Sequence, residues 1–119
     1  MLAPHRRALL QAVTMADVSH NLKFYELTAI CSRRVAEMYV KLVLKDKEYF
    51  SLGEGLWMLP EDTPMELWNA LTTAQNIGNK AAHAQEERMQ QQEGDEALRA
   101  AMTIAGAYLM MVHERRARL

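Results

Sequence analysis

The segment covering residues 97–112 is hydrophobic at thirteen of its sixteen positions. Its three exceptions, Arg99, Thr103 and Gly106, recur at steps of four and three, so they fall on one narrow line of a helix. A helix that is apolar around most of its circumference must be covered on most sides, at the centre of a bundle or by a partner. We therefore predict a closing helix over about residues 96–116, and we expect the chain to form a homodimer.

The composition favours an all-α fold. The chain has 119 residues, enough for one hydrophobic core, so we predict a single domain over residues 1–119. Half of the residues are hydrophobic, whereas only five are glycine and three are proline. Good helix formers such as alanine, leucine, glutamate and arginine are abundant, which favours a helical globule over a sheet.

Two helices are predicted in the first part of the chain. Leu9, Leu10 and Val13 indicate a short helix over residues 5–16 that packs at the periphery. A long helix over residues 19–45 carries an apolar stripe of Leu27, Cys31, Val35, Met38 and Leu42. On its other side Arg33, Glu37, Lys41 and Lys45 step by four, which is typical of a solvated face.

The middle of the chain contains a connection and a third helix. Residues 46–62 are read as a connection in which Leu56, Trp57 and Leu59 lie under the helices, with a short hairpin as the alternative. The tetrad Thr63-Pro64-Met65-Glu66 then predicts a capped helix start. Inside that helix Gly78 indicates either a close helix approach or a local break.

A second connection separates the third helix from the closing one. Residues 85–96 are polar and rich in glutamine and glutamate, which predicts an exposed connection. It ends in Gly94 and Asp95, interpreted as a stop followed by the N-cap of the last helix.

Charge and cysteine content exclude several classes of function. The formal net charge is −1, so no overall field attracts the chain to nucleic acid or anionic lipid. A single cysteine, Cys31, excludes an internal disulfide and is predicted to pack in the core. No apolar stretch approaches the ~20 residues that span a bilayer, and no convincing signal peptide is present. We expect a cytoplasmic protein with no membrane contact, metal or cofactor, because zinc spacings and glycine-rich phosphate loops are absent.

An amide and an imidazole, Asn79 and His83, lie four residues apart and thus on one face of the third helix. The long helix carries Ser32-Arg33-Arg34 and Glu37, and the third helix carries the run Ile77-Gly78-Asn79-Lys80-Ala81-Ala82-His83. In the order of these parts the chain is similar to the HEPN superfamily (higher eukaryote and prokaryote nucleotide-binding) over residues 20–116. The resemblance is to its short, defence-associated helical domains. It implies an up-and-down bundle of four to five helices that dimerises. In active members an arginine-x4-6-histidine motif then cleaves RNA without a metal.

The chain departs from that motif, since Gly78 stands where the arginine would be. The resemblance makes His83 the candidate for proton transfer and Asn79 the residue that orients it, with Arg34, Lys80 or Arg88 as the replacement cation. Arg34 and Lys80 are the candidates for holding phosphate, and Glu37 could orient His83 through an ion pair with Arg34. The alternative is a structural role, with Asn79 and His83 hydrogen-bonded between helices.

These observations favour a non-catalytic or weakly active HEPN-like domain that mediates dimerisation or contact with a protein partner or RNA. The resemblance places it in a bacterial defence or toxin–antitoxin context. The alternative is a metal-independent endoribonuclease that uses His83 at a dimer interface. Arginines near both ends could form one RNA-backbone contact if the termini meet, but we favour the alternative of solvated helix ends; they are Arg6, Arg7, Arg115, Arg116 and Arg118.

Overall fold

Five helices make up the part of the chain that a computed structural model describes, which is residues 3–45, 47–83 and 88–117. They are α1 (Ala3–Asn21), α2 (Tyr25–Leu44), α3 (Leu52–Trp57), α4 (Met65–His83) and α5 (Gln91–Ala117). No strand occurs in these three stretches. The predicted all-α class is therefore confirmed.

The four long helices run alternately up and down. α1 and α2 form an antiparallel hairpin, which brings His5 near the start of α1 to the same groove as Lys45 at the end of α2. α5 runs parallel to α2, because Ser32 in the first half of α2 donates a hydrogen bond of 2.8 Å to the carbonyl of Ala97 in the first half of α5. α4 runs against both. The predicted up-and-down arrangement follows from these contacts.

One cluster of buried side chains draws on all five helices. Its most deeply buried large members are Leu9, Val35, Val40, Leu71 and Ile104. α5 contacts α1, α2 and α4, so its nearly continuous apolar surface is explained mainly by a central position in one chain. The prediction that the first helix packs at the periphery is wrong. Leu9 is fully buried, because α1 packs against both α2 and α5.

The single helix predicted over residues 19–45 is wrong, since residues 19–21 belong to α1 and the chain turns before Tyr25. Lys23 adopts a left-handed φ of 63°. Its N–H donates to the carbonyl of His20, and the N–H of Phe24 donates to that of Ser19. This bonding is a Schellman stop, which usually carries glycine at the position of Lys23.

The hairpin alternative for residues 46–62 is also wrong, because α3 lies inside this segment. Ser51 caps α3 by accepting a hydrogen bond from the backbone N–H of Glu54. Leu56 is buried as predicted, whereas Trp57 is 83% exposed and contacts Trp68 edge to face. α4 begins at Met65, one residue after the predicted first position at Pro64. The predicted capping role of Thr63 is not observed, because its hydroxyl donates to the carbonyl of Pro60.

Two glycines allow close approaches between helices. A β-carbon on Gly78 would overlap the side chain of Arg33 and lie 3.1 Å from the carbonyl oxygen of Ala29, so Gly78 marks close approach and no break. Gly94 and Asp95 do not separate a connection from a helix. Both lie within α5, which starts at Gln91, and the ring of Tyr25 covers Gly94. Gln85 and its neighbours up to residue 87 lie outside the described residues.

Candidate functional site

Asn79 and His83 lie on the last turns of α4, as their spacing predicted. Asn79 is half-buried and His83 is exposed. Among the described residues neither side chain makes a hydrogen bond, so the alternative of a hydrogen-bonded structural pair has no support there. The couple is open to solvent, and its geometry is compatible with contact to another molecule.

Lys80 is turned toward α5. Its Nζ donates to Oε2 of Glu93, and Glu93 also accepts a hydrogen bond from the backbone N–H of Gln90. These bonds, led by the one from Lys80, lower the pKa of Glu93 below its ordinary value. Lys80 thus has an anionic partner within the chain.

Arg33, and not Arg34, packs against α4 beside Gly78. The stem of Arg33 crosses α4 at Gly78, and its Nε lies 3.4 Å from Oε1 of Glu37. Arg34 is exposed. The expected pairing of Arg34 with Glu37 is therefore replaced by Arg33–Glu37. Because α2 and α4 are antiparallel, Glu37 draws the guanidinium toward the end of α2, away from His83.

Two further polar residues at this end of the bundle, His20 and Asp95, bond to each other. Nε2 of His20 lies 2.6 Å from Oδ1 of Asp95, and the imidazole contacts Tyr25 edge to face.

Cys31 is half-buried, and desolvation raises the pKa of its thiol, which keeps it protonated and unreactive. In the described stretches no three histidine, cysteine, aspartate or glutamate side chains are placed to hold a metal ion.

An exposed apolar surface lies on the α1–α2 hairpin. We call it the hairpin face; its members are 39–58% exposed, and they are Met15, Val18, Leu22, Phe24, Leu27 and Ile30. His20 and Ser32 bond to α5, and Val18 and Ile30 precede them by two residues. Two residues correspond to about 200° of rotation, so the hairpin face points away from α5.

α5 has its own exposed apolar residues. Met102, Leu109 and Met110 are more than half exposed. Met102 is separated from the other two along the helix, and Arg99, Gly106 and His113 share the exposed surface with them. The hairpin face has twice as many exposed apolar side chains, and they come from two helices and their turn. A group of exposed apolar side chains of that kind is typical of an interaction surface.

A groove at the opposite end of α2 is lined by lysine and aromatic side chains. This lysine groove has a volume of about 630 Å³ and is formed by Lys41, Lys45, Lys47, Tyr49, Phe50, His5 and Glu48. A second groove of about 360 Å³ shares Lys41, Tyr49 and Phe50 with it and continues along α2 to Arg33. Tyr49 packs on Gly55, whereas Phe50 is fully exposed.

The sequence interpretation missed this groove. Lys41 and Lys45 were predicted to lie on a solvated face, and Lys47, Tyr49 and Phe50 were assigned to a connection. The available signal was the short run from Lys41 to Phe50, in which three lysines precede two adjacent aromatic residues. A basic run with neighbouring aromatic residues is a pattern found in nucleic-acid-binding proteins.

The terminal arginines are exposed where they are described, which covers Arg6, Arg7, Arg115 and Arg116; Arg118 lies outside the described residues. α1 and α5 are antiparallel, because His20 at the end of α1 bonds to Asp95 near the start of α5. The joint patch of arginines stays a prediction. No helix in the described stretches is both long enough and apolar enough to cross a membrane.

Comparisons with known proteins give no match for this chain. No protein-family model, no curated protein and no solved structure matches this chain.

Proposed function

We propose that this protein is a non-catalytic, HEPN-like helical module that forms a homodimer through the hairpin face. The observation that carries the proposal is the set of six exposed apolar side chains on α1, α2 and their turn. Exposed apolar area of this kind is removed from water when two copies associate. A two-fold axis would pair the same surface on both copies, which is the commonest arrangement of homodimers.

The hairpin face replaces the closing helix as the proposed interface. α5 already buries Ala97, Ala101, Ile104 and Tyr108 inside one chain. Its exposed apolar residues are fewer and more dispersed than those of the hairpin. The free energy available from desolvation is therefore greater at the hairpin face, since it scales with the apolar area removed from water.

The wider context of the proposal comes from the HEPN resemblance. It suggests an accessory or regulatory role in a bacterial defence or toxin–antitoxin system, in the cytoplasm, with a protein partner or RNA engaged by the dimer. In such a module the loss of the motif arginine at Gly78 is consistent with a role in binding and not in cleavage.

We expect a double substitution, Leu22→Glu with Ile30→Glu, to weaken dimerisation by about 100-fold, because each charge enters an isologous interface twice. Both residues are exposed in the single chain, so thermal stability should change little. Sedimentation velocity over a range of concentrations measures the effect. Met102→Glu on α5 is the matched control and should leave the dimer intact. A wild-type chain that stays monomeric at high concentration would reject the proposal.

The second candidate function is a metal-independent endoribonuclease that uses His83 and Asn79. It is favoured by one observation, the exposed imidazole on the same helix end as Asn79. A cation is needed to stabilise the developing charge on phosphate. Arg33 is directed to Glu37, and Lys80 to Glu93, so Arg34 or a residue of a second copy would have to supply it.

We expect no cleavage of single-stranded RNA above background in the presence of chelator, and no difference between the wild type and His83→Ala. Gel electrophoresis of a labelled RNA is the measurement. Because His83 is exposed, its replacement should not alter folding, and circular dichroism serves as the control. Cleavage by the wild type that His83→Ala abolishes would establish the enzyme and overturn the non-catalytic proposal.

A further inference from the structure

The lysine groove concentrates positive charge in a chain whose formal net charge is −1. Among the described residues Lys41, Lys45 and Lys47 line it, against one lining carboxylate, that of Glu48. Asp46 lies outside the described residues. In the adjoining groove the carboxylate of Glu37 is paired with Arg33. The local field therefore favours an anionic ligand, although the field of the whole protein does not.

Phe50 presents a fully exposed ring at the rim of this groove. Its backbone is fixed, because its N–H donates to Oε2 of Glu54 over 3.2 Å while the N–H of Glu54 donates to Ser51 at the start of α3. An apolar ring held in water beside three lysines gains no packing energy within the chain. It is available to stack on a flat partner.

Tyr49 adds a polar group to the same groove. Its ring packs on Gly55, and its buried hydroxyl has no hydrogen-bond partner among the described residues. Burial, followed by the charge of Glu37, raises the pKa of Tyr49 above its ordinary value, so the hydroxyl keeps its proton. A buried donor without a partner is costly. If ligand binding shifts the Tyr49 ring so that its hydroxyl faces the groove, a phosphate oxygen or a base carbonyl satisfies it.

We propose that the lysine groove binds single-stranded nucleic acid. Lys41, Lys45 and Lys47 contact successive phosphates, and a base stacks on Phe50. This inference does not depend on the dimer. It also concerns a different place from the Asn79/His83 couple, because Ala29, which contacts α4 at Gly78, is sixteen residues or about 24 Å along α2 from Lys45.

A single strand fits the groove better than the other polyanions. In a duplex the faces of the bases are stacked on one another and cannot reach Phe50, whereas a single strand offers them freely. A lipid bilayer presents a flat surface, and the lysines here line a concave groove. Base stacking and phosphate contact thus require different parts of the same ligand, which makes them separately testable.

The experiment measures fluorescence anisotropy of a labelled single strand of about 12 nucleotides as the intact protein is added. Phe50→Ala should weaken binding by about 5- to 100-fold, the range found for loss of one base–aromatic contact. The affinity of the wild type should fall with salt with a logarithmic slope of about −2 for three phosphate contacts. Lys45→Gln should reduce that slope by about 0.7.

Matched controls separate the parts of the site. Trp57→Ala removes another exposed aromatic ring, and Lys23→Gln removes an exposed lysine at the far end of α2; both should bind as the wild type does. Inorganic polyphosphate should compete in a way that Phe50→Ala does not change. Absence of binding at low salt, equal affinity of wild type and Phe50→Ala, or stronger binding to anionic vesicles than to the single strand would each overturn the proposal.

Discussion

Gly78→Ala is expected to lower the free energy of unfolding by about 1–2 kcal/mol, although alanine is the better helix former. The helix propensity gained is at most ~1 kcal/mol. Against it stands the overlap of the new β-carbon with Arg33 and its approach to the backbone oxygen of Ala29. Overpacking of this kind costs about 1–3 kcal/mol or more, since α2 and α4 must separate.

Gly106→Ala is the matched control, because Gly106 is exposed in the middle of α5 and a β-carbon there meets nothing within 4 Å. This variant should gain about 0.5–1 kcal/mol. Urea denaturation of both variants gives the comparison. Gly78→Arg, which would restore the arginine of the HEPN motif, should destabilise by more than ~3 kcal/mol because the stem of Arg33 occupies that space. Equal changes at Gly78 and Gly106 would contradict the close helix approach.

Leu9→Ala is expected to lower the free energy of unfolding by about 2–5 kcal/mol, as in other fully buried leucines. Leu9 has no exposed surface and joins the cluster shared by all five helices, so its truncation leaves a cavity between α1 and its neighbours. The measurement is chemical denaturation followed by circular dichroism.

Leu10→Ala supplies the control for this prediction. Leu10 follows Leu9 in the same helix but is 45% exposed, so its truncation should change stability by less than about 0.5 kcal/mol. A similar, small effect at both positions would mean that α1 is a loosely attached helix, and the packing of the hairpin would have to be revised.

Local patterns predicted those elements whose signals lie within one segment. The apolar closing segment, the stripe from Leu27 to Leu42 and the proline at the start of α4 each indicated a helix that the structure contains. Leu27 is nevertheless exposed and Cys31 only half-buried, so the first two members of that stripe were wrongly assigned to the core. The stop between α1 and α2 could not be predicted, because lysine at position 23 takes a backbone conformation that usually signals glycine or asparagine.

Features that depend on contacts distant in sequence were misread. Gly94 was predicted to stop a helix, but it lies inside α5. Tyr25, almost seventy positions earlier in the sequence, packs against it. The partner of Glu37 is Arg33 because the neighbouring helix has no side chain at Gly78. The lysine groove combines the start of α1, the end of α2 and residues 47–50, and their meeting depends on the whole fold.

Dimerisation through the hairpin face is tested most directly by measuring distances between spin labels in the assembled protein. With Cys31 replaced by serine, one label is attached at Gln11→Cys, beside Met15 on α1, and in a separate sample at Gly106→Cys on the exposed side of α5. Double electron–electron resonance then reports the distance between the two copies. If the hairpin face forms the interface, the distance between the labels on α1 is shorter than the distance between those on α5. A shorter distance on α5 would show that the closing helix forms the interface and would contradict dimerisation through the hairpin face.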